Sequence, residues 1–318
     1  MKIFQVLKPG LFTTVQDLGR YGYLRYGVPV SGAMDTFSAV VANYLVGNSS
    51  SDACLEITLI GPELKALTKT QIAITGGSIS PKINGQNISV WQTVSVQNGD
   101  VISFGRVESG CRVYFAIRGG INVPTILGSK STYVRGHFGG LDGRILKAGD
   151  VIEGYDVPLL EFGYYLPEGL VPKFTNNFNV NVVLGPQDNM FTEDGIETFL
   201  SSTYKVTPEA DRMGYRLEGP PIEHKQKAEI ISDAVLPGAV QVPKNGKPIV
   251  LMCDAQTTGG YPKIARVITS DIALLGQAKP GDNVKFVKVT TREANEKARE
   301  YYKLLNNLKV SLKSYRLE

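Results

Sequence analysis

Two stretches of this chain gather groups capable of chemistry inside glycine-rich loops. The first runs Thr13-Thr14-Val15-Gln16-Asp17-Leu18-Gly19-Arg20, continues through Gly27-Val28-Pro29 and ends at Ser31-Gly32-Ala33-Met34-Asp35. Hydroxyls, an amide, carboxylates and a guanidinium are concentrated where glycine lets backbone approach a ligand closely. A turn held by Asx and Ser/Thr bonds, with Asp35 as a helix N-cap, would use the same residues. The second stretch is Leu251-Met252-Cys253-Asp254-Ala255-Gln256-Thr257-Thr258-Gly259-Gly260-Tyr261-Pro262. Here an apolar strand delivers polar groups straight into a Gly-Gly loop, as a barrel does at its rim. Gln241, between Pro237 and Pro243, arrives the same way. A buried Asp254 or Gln256 left unpaired would cost roughly 1–3 kcal/mol, so each needs a partner, internal or bound. Ligand contact is the reading taken for this stretch.

Other chemistries match poorly. Gly128-Ser129-Lys130-Ser131-Thr132 ends like a phosphate loop, but Val123 stands where the first glycine belongs. Gly136-His137-Phe138-Gly139-Gly140-Leu141-Asp142-Gly143 lacks the spacing and the following helix of a dinucleotide fingerprint. His137 and His224 stand far apart with no second ligand at helical spacing, so no metal centre is expected. His137 is kept as a functional candidate and His224 is read as a surface residue. No nucleophile–base pair is evident.

The elements that must position these groups are mostly strands. Short β-branched runs alternate with Asn-Gly, Gly-Asp and Pro-Gly punctuation, as at 71–75, 113–117, 180–184, 248–253 and 283–289, which argues for barrels or sandwiches. Helices are predicted over 36–46, capped by Asp35, and over 193–200, capped by Thr192. A last helix opens on the capping box Thr290-x-x-Glu293 and carries one apolar stripe of Ala294, Ala298, Tyr301, Leu305 and Leu308. The two halves repeat an order of helix, Gly-Pro, Asn-Gly turn, apolar strand, Gly-Gly and Gly-Asp, which points to a duplicated β-rich unit. The boundary is expected within 154–177, with domains over 1–165 and 166–318 and the last helix in the second.

Composition limits the partners. The chain has 318 residues, 42% of them hydrophobic, enough for two buried cores. Its 34 Lys and Arg are scattered among 30 Asp and Glu, and a net charge of +4 without a basic block gives nucleic acid no footprint. No apolar run approaches the roughly 18–20 residues of a membrane span, so no membrane role is expected. Met1–Thr14 lacks the apolar core of a signal peptide. Cys54, Cys111 and Cys253 sit singly in apolar segments and read as free thiols in a reducing compartment, the cytoplasm.

The glycine loops also carry a resemblance. TTVQDLGRYGY with GVPVSGAMD, RGGINVP with LGSKST, FGGLDGR, GPQDNMF, DRMGYRLEG, LPGAVQVP and DAQTTGGYP occur in order from Thr13 to Pro262. Together they resemble the family that contains the C subunit of 5-oxoprolinase, the second component of allophanate hydrolase-type proteins and the carboxyltransferase part of urea carboxylases. The resemblance implies two cyclophilin-like β-barrels with a few short helices and a C-terminal helix. It implies association with the A and B subunits of 5-oxoprolinase, of which the B subunit is homologous to this chain. It also implies ATP-dependent cleavage of 5-oxo-L-proline to L-glutamate. ATP, accompanied by Mg²⁺, would be consumed, with no cofactor tightly bound to this chain.

Phosphorylating a lactam oxygen needs cations and donors around developing negative charge. On this reading Asp17, Arg20, Asp254 and Gln256 are the catalytic candidates. Ser31, Asp35, Arg118, Arg212, Gln241, Thr257, Thr258 and Tyr261 are the candidates for holding substrate or nucleotide, with Asp17, Asp35 or Asp254 available to Mg²⁺ or a substrate N–H. Two other activities fit the same resemblance: biotin-dependent carboxyl transfer, and a non-enzymatic regulator that binds a kinase inhibitor resembling the B subunit.

Overall fold

The computed structural model describes residues 1–317 and is mostly β. The chain forms two compact units. One comprises Met1–Arg20, Ser31–Phe174 and the chain from Leu304; the other comprises Tyr21–Val30 and Thr175–Lys303.

The first unit has a six-stranded and a five-stranded antiparallel sheet around one core. The six-stranded sheet orders Val151–Glu153, Lys2–Lys8, Glu63–Ala66, Val101–Ser103, Lys82–Ile83 and Gln86–Asn87. The five-stranded sheet orders Phe12–Gln16, Cys54–Thr58, Ser109–Ile117, Thr70–Ser78 and Thr93–Val96. Phe115 holds the two together, meeting Phe4 and Phe104 edge-on, each at 5.4 Å between ring centroids. Such pairs add to the burial of large rings. Helix α1, Thr36–Leu45, is buried from Ser38 to Leu45, which fits its mostly apolar sequence, with Ser38 and Asn43 as buried polar exceptions.

The second unit is a closed seven-stranded barrel. Around it run Asn177–Leu184, Lys263–Val267, Ala239–Gln241, Ile249–Leu251, Gly214–Glu218, Thr203–Val206 and Asn283–Lys288. The parallel pairing of the first with the last closes it. Strict alternation in Asn177–Val182 sends Phe178, Val180 and Val182 inward, as a half-buried strand requires. Phe286 stacks on Phe199 at 4.5 Å and tilts against Tyr204. Helix α2, Glu193–Ser201, starts where the Thr192 side chain accepts the Gly195 N–H. Helix α3, Thr269–Leu275, was not expected: it is short and no side chain caps its start. A separate two-stranded ribbon pairs Asp233–Ala234 with Thr258–Gly259.

The predicted capping box opens helix α4, Thr291–Ser311: Glu293 accepts the Thr290 N–H at 2.7 Å, and Thr290 Oγ1 accepts the Glu293 N–H at 3.2 Å. The stripe is graded, half-buried at Ala294, Ala298 and Tyr301 and buried at Leu305 and Leu308. One expectation about division needs correction. The units change over at Phe174/Thr175, inside the stretch 154–177 given for the boundary, but the last helix does not belong wholly to the second unit. From Leu304 the chain groups with the first unit, where Leu317 N–H donates to Gly163 O and Tyr165 N–H to Tyr315 O. No helix among the described residues is long and apolar enough to cross a membrane.

Candidate functional site

In the first unit Asp17 is a clasp. Its Oδ1 accepts Gly19 N–H at 2.8 Å, Ser129 Oγ at 2.7 Å and Ser131 Oγ at 2.5 Å, and its Oδ2 accepts Lys130 N–H at 2.6 Å. Charge-assisted bonds of this kind are roughly twice as strong as neutral ones, and here they fix the 129–131 loop. Arg20, 1% exposed, donates to the Ser131 carbonyl and lies 4.8 Å over the Phe138 ring. A side chain at Gly139 would collide with that same carbonyl, which is why glycine stands there at φ +76°. The three glycine-rich motifs around 13–20, 128–132 and 136–143 are therefore one interlocked assembly. It borders a cavity of about 470 Å³ with Val15, Ile121, Val123, Leu146 and Ile152 as apolar lining and His137, Asn122, Asp142 and Glu153 as polar lining. Asp17 and Arg20 hold the loop.

Asp35 takes the structural one of its two readings. It caps α1, accepting Ser38 N–H at 3.0 Å and Ser38 Oγ at 2.6 Å. Its own N–H donates to Tyr114 Oη at 2.7 Å, and Tyr114 in turn donates to Glu56 Oε2 at 2.7 Å. Burial, with Glu56 and Asp35 beside it, pushes the Tyr114 hydroxyl well above the usual phenol range. Sequence reasoning missed this buried network, because Glu56 and Tyr114 lie singly inside strands. Arg118 closes the other end of α1: its Nη1 donates to Val46 O at 3.0 Å and Gly47 O at 2.8 Å, and its Nε to Pro158 O at 3.0 Å. A cation on the last carbonyls of a helix is favourable there. Ser31 stands apart. It is 2% exposed, holds φ +54°, and its Oγ has no hydrogen-bond partner among the described residues.

In the second unit Asp254 does not reach a free rim. It forms a side-on ion pair with Arg212, Nε to Oδ2 at 2.8 Å and Nη2 to Oδ1 at 3.1 Å, with both side chains at least nine-tenths buried. Gln256 and Thr258 are exposed and Thr257 is half-buried. The expected convergence of Asp254, Gln256 and Thr257 beside Gln241 is thus replaced by an ordered edge: the chain 257–260 zips onto 230–235 through Val235 N–H to Thr257 O, the ribbon pairs, and Ile230 N–H to Gly260 O. Gln241, 2% exposed, lies beneath this edge and donates from Nε2 to Tyr261 O at 3.1 Å. A side chain at Gly259 would collide with the Gln241 amide. Tyr261 itself is 42% exposed.

Lys263 is the residue that sequence reasoning passed over. It pairs with Gln241 across neighbouring strands, so both side chains leave the same face. Its ammonium donates to Asp233 Oδ2 at 2.6 Å and to Ala234 O at 3.1 Å. Gln187 accepts the Lys263 N–H at 3.2 Å and offers Nε2 to Asp233 Oδ2 at 3.4 Å. A side chain at Gly185 would strike the Lys263 carbonyl. So GPQDNMF, LPGAVQVP and DAQTTGGYP, separated in sequence, meet around one buried lysine. The available signal was a lone lysine opening the otherwise apolar Lys263-Ile264-Ala265. Among the described residues no three His, Cys, Asp or Glu side chains are grouped to hold a metal ion. Asp17, Asp35 and Asp254 are engaged by internal donors, an arrangement that does not fit Mg²⁺ ligation by this chain.

The family described as carboxyltransferase domain, subdomain A and B, matches residues 26–288. The chain is 35% identical over 292 residues to the C subunit of 5-oxoprolinase from Escherichia coli, covering 92% of this chain and 93% of that protein. It is 37% identical to urea amidolyase of Saccharomyces cerevisiae, covering 90% of this chain but 16% of that protein. Among solved structures, the K. lactis urea amidolyase superposes with a TM-score of 0.91 at 36% identity, over 96% of this chain and 20% of that one. The Kluyveromyces lactis urea carboxylase gives 0.91 at 35% identity, over 100% of this chain and 30% of that one. The chain thus spans under a third of these larger enzymes. It belongs to the carboxyltransferase domain family, subdomain A and B.

Proposed function

We propose that this chain is the C subunit of an ATP-dependent 5-oxoprolinase of the cytoplasm, acting with the A and B subunits. The observation that carries the reading is the near end-to-end similarity to the Escherichia coli C subunit, 35% identical over 93% of that protein. Ring opening is driven by phosphoryl transfer to the lactam oxygen. Water is consumed both in opening the ring and in releasing phosphate. Among the described residues no nucleophile–base pair is evident, and the candidate carboxylates are committed to internal bonds. Its share of the work is therefore placement of substrate by donors, and MgATP is assigned to the partner subunits. The contact surface is read as the second-unit edge of Thr257, Thr258 and Tyr261, backed by Gln241 and Lys263 beneath it. Reconstitution tests this. ATP turnover dependent on 5-oxoproline should require all three subunits, and none should be found with this chain alone.

Carboxyl transfer is the second reading, favoured by the TM-score of 0.91 to urea carboxylase. It requires carboxylated biotin brought by a carrier on another chain. Turnover with urea and bicarbonate, dependent on such a carrier, would select it.

A further inference from the structure

Lys263 and Asp233 form an ion pair of unequal partners. The lysine side chain is 6% exposed and the aspartate side chain 51%. The cation is built into the wall of the barrel by the strand Lys263–Val267 and by the Gln187 amide on its N–H. The anion comes from a ribbon strand of two residues, paired only through Asp233↔Gly259 and Ala234↔Thr258. A buried ammonium without an anion is strongly unfavourable, so the site demands a negative partner. An exposed carboxylate in an ion pair gains little from it, so this particular partner is cheaply exchanged.

We propose that Lys263 Nζ and Gln187 Nε2 form a carboxylate-binding subsite, occupied in this structure by the Asp233 side chain as an internal stand-in. A small carboxylate ligand takes the site by displacing Asp233. Two donors already converge on one carboxylate oxygen, at 2.6 Å from Lys263 and 3.4 Å from Gln187. The Ala234 carbonyl, 3.1 Å from the ammonium, belongs to the same ribbon, so displacement of Asp233 loosens both ribbon contacts of the lysine together. The edge that would then move carries Thr258 and Gly259, and Gly259 lies against the Gln241 amide. Carboxylate binding is thereby linked to the placement of Gln241. The subsite stands whichever reaction the chain serves, since acetate binding to the isolated chain does not depend on ATP or on partner subunits.

The test is a titration of the full chain with sodium acetate at fixed ionic strength, followed by ligand-observed NMR, with acetamide as the uncharged control. Asp233→Asn removes the competing anion and should tighten acetate about tenfold or more, the size expected of a charge-assisted hydrogen bond. Adding Lys263→Met to that variant should abolish the binding, and acetamide should bind neither. If Lys263→Met does not fold, Gln187→Leu in the Asp233→Asn background should weaken acetate severalfold. Acetate bound no more tightly by Asp233→Asn than by the parent would overturn the proposal. So would tightening that survives loss of Lys263 or, in the fallback pair, loss of Gln187.

Discussion

Arg212 and Asp254 meet side-on inside the second unit, and the backbone repeats the link, Asp254 N–H donating to Arg212 O at 2.8 Å. The pair joins DRMGYRLEG to DAQTTGGYP and so sets where the 256–261 edge begins. Asp254→Asn keeps the shape but removes the charge that faces the buried Arg212 guanidinium in this side-on pair. Breaking a buried pair from one side costs about 3–5 kcal/mol. Urea unfolding should show a loss of that order, and a variant within about 1 kcal/mol of the parent would show the pair to be dispensable.

Asp17→Asn tests the clasp in the first unit. The amide cannot accept from all four donors that the carboxylate now serves, so the 129–131 loop loses its anchor. Leaving buried donors unpaired costs roughly 1–3 kcal/mol. Hydrogen exchange should accelerate at the Lys130 and Ser131 amides. Unchanged protection there would contradict the role given to Asp17.

Gly139 and Gly149 separate steric need from backbone need. Both hold positive φ, +76° and +90°, but a Cβ at Gly139 strikes the Ser131 carbonyl while one at Gly149 meets nothing within 4 Å. Gly149→Ala should cost only the left-handed penalty, about 1–2 kcal/mol. Gly139→Ala should cost clearly more and disturb Arg20, which shares that carbonyl. Equal melting temperatures for the two variants would refute the close-approach argument.

The Asp233 carboxyl is held below the usual carboxylate range, first by the hydrogen bond from Lys263 and then by the Ala234 N–H. With the folded value depressed, the linkage favours the native ribbon above the unfolded carboxyl's range and is lost as pH falls through the folded value. The Asp233 carboxyl carbon should therefore titrate below the ordinary 3.8. In Lys263→Met the midpoint should move back toward that value; no movement would mean that the ion pair does not form in solution.

Much of the architecture was legible because strands, caps and turns leave local marks. The β-branched run at 180–184, the Asp35 and Thr192 caps and the Thr290–Glu293 box each need only a few adjacent residues. Helix α3 left no such mark, and neither did the grouping of the helix end with the first unit, which depends on where Leu305, Leu308 and Leu312 find cover. The site was legible only in outline. Glycine-rich motifs revealed where backbones crowd, but one-dimensional order does not tell whether Asp17 or Asp254 faces a ligand or an internal donor. Lys263 was hidden for the opposite reason, since its partners Gln187 and Asp233 lie 76 and 30 residues away.

Product identity tests the central claim most directly. With purified A and B subunits, MgATP and isotopically labelled 5-oxo-L-proline, addition of this chain should release labelled glutamate and phosphate together, and omission of it should stop both. Phosphate release without glutamate, or glutamate formed equally well in its absence, would contradict the assignment.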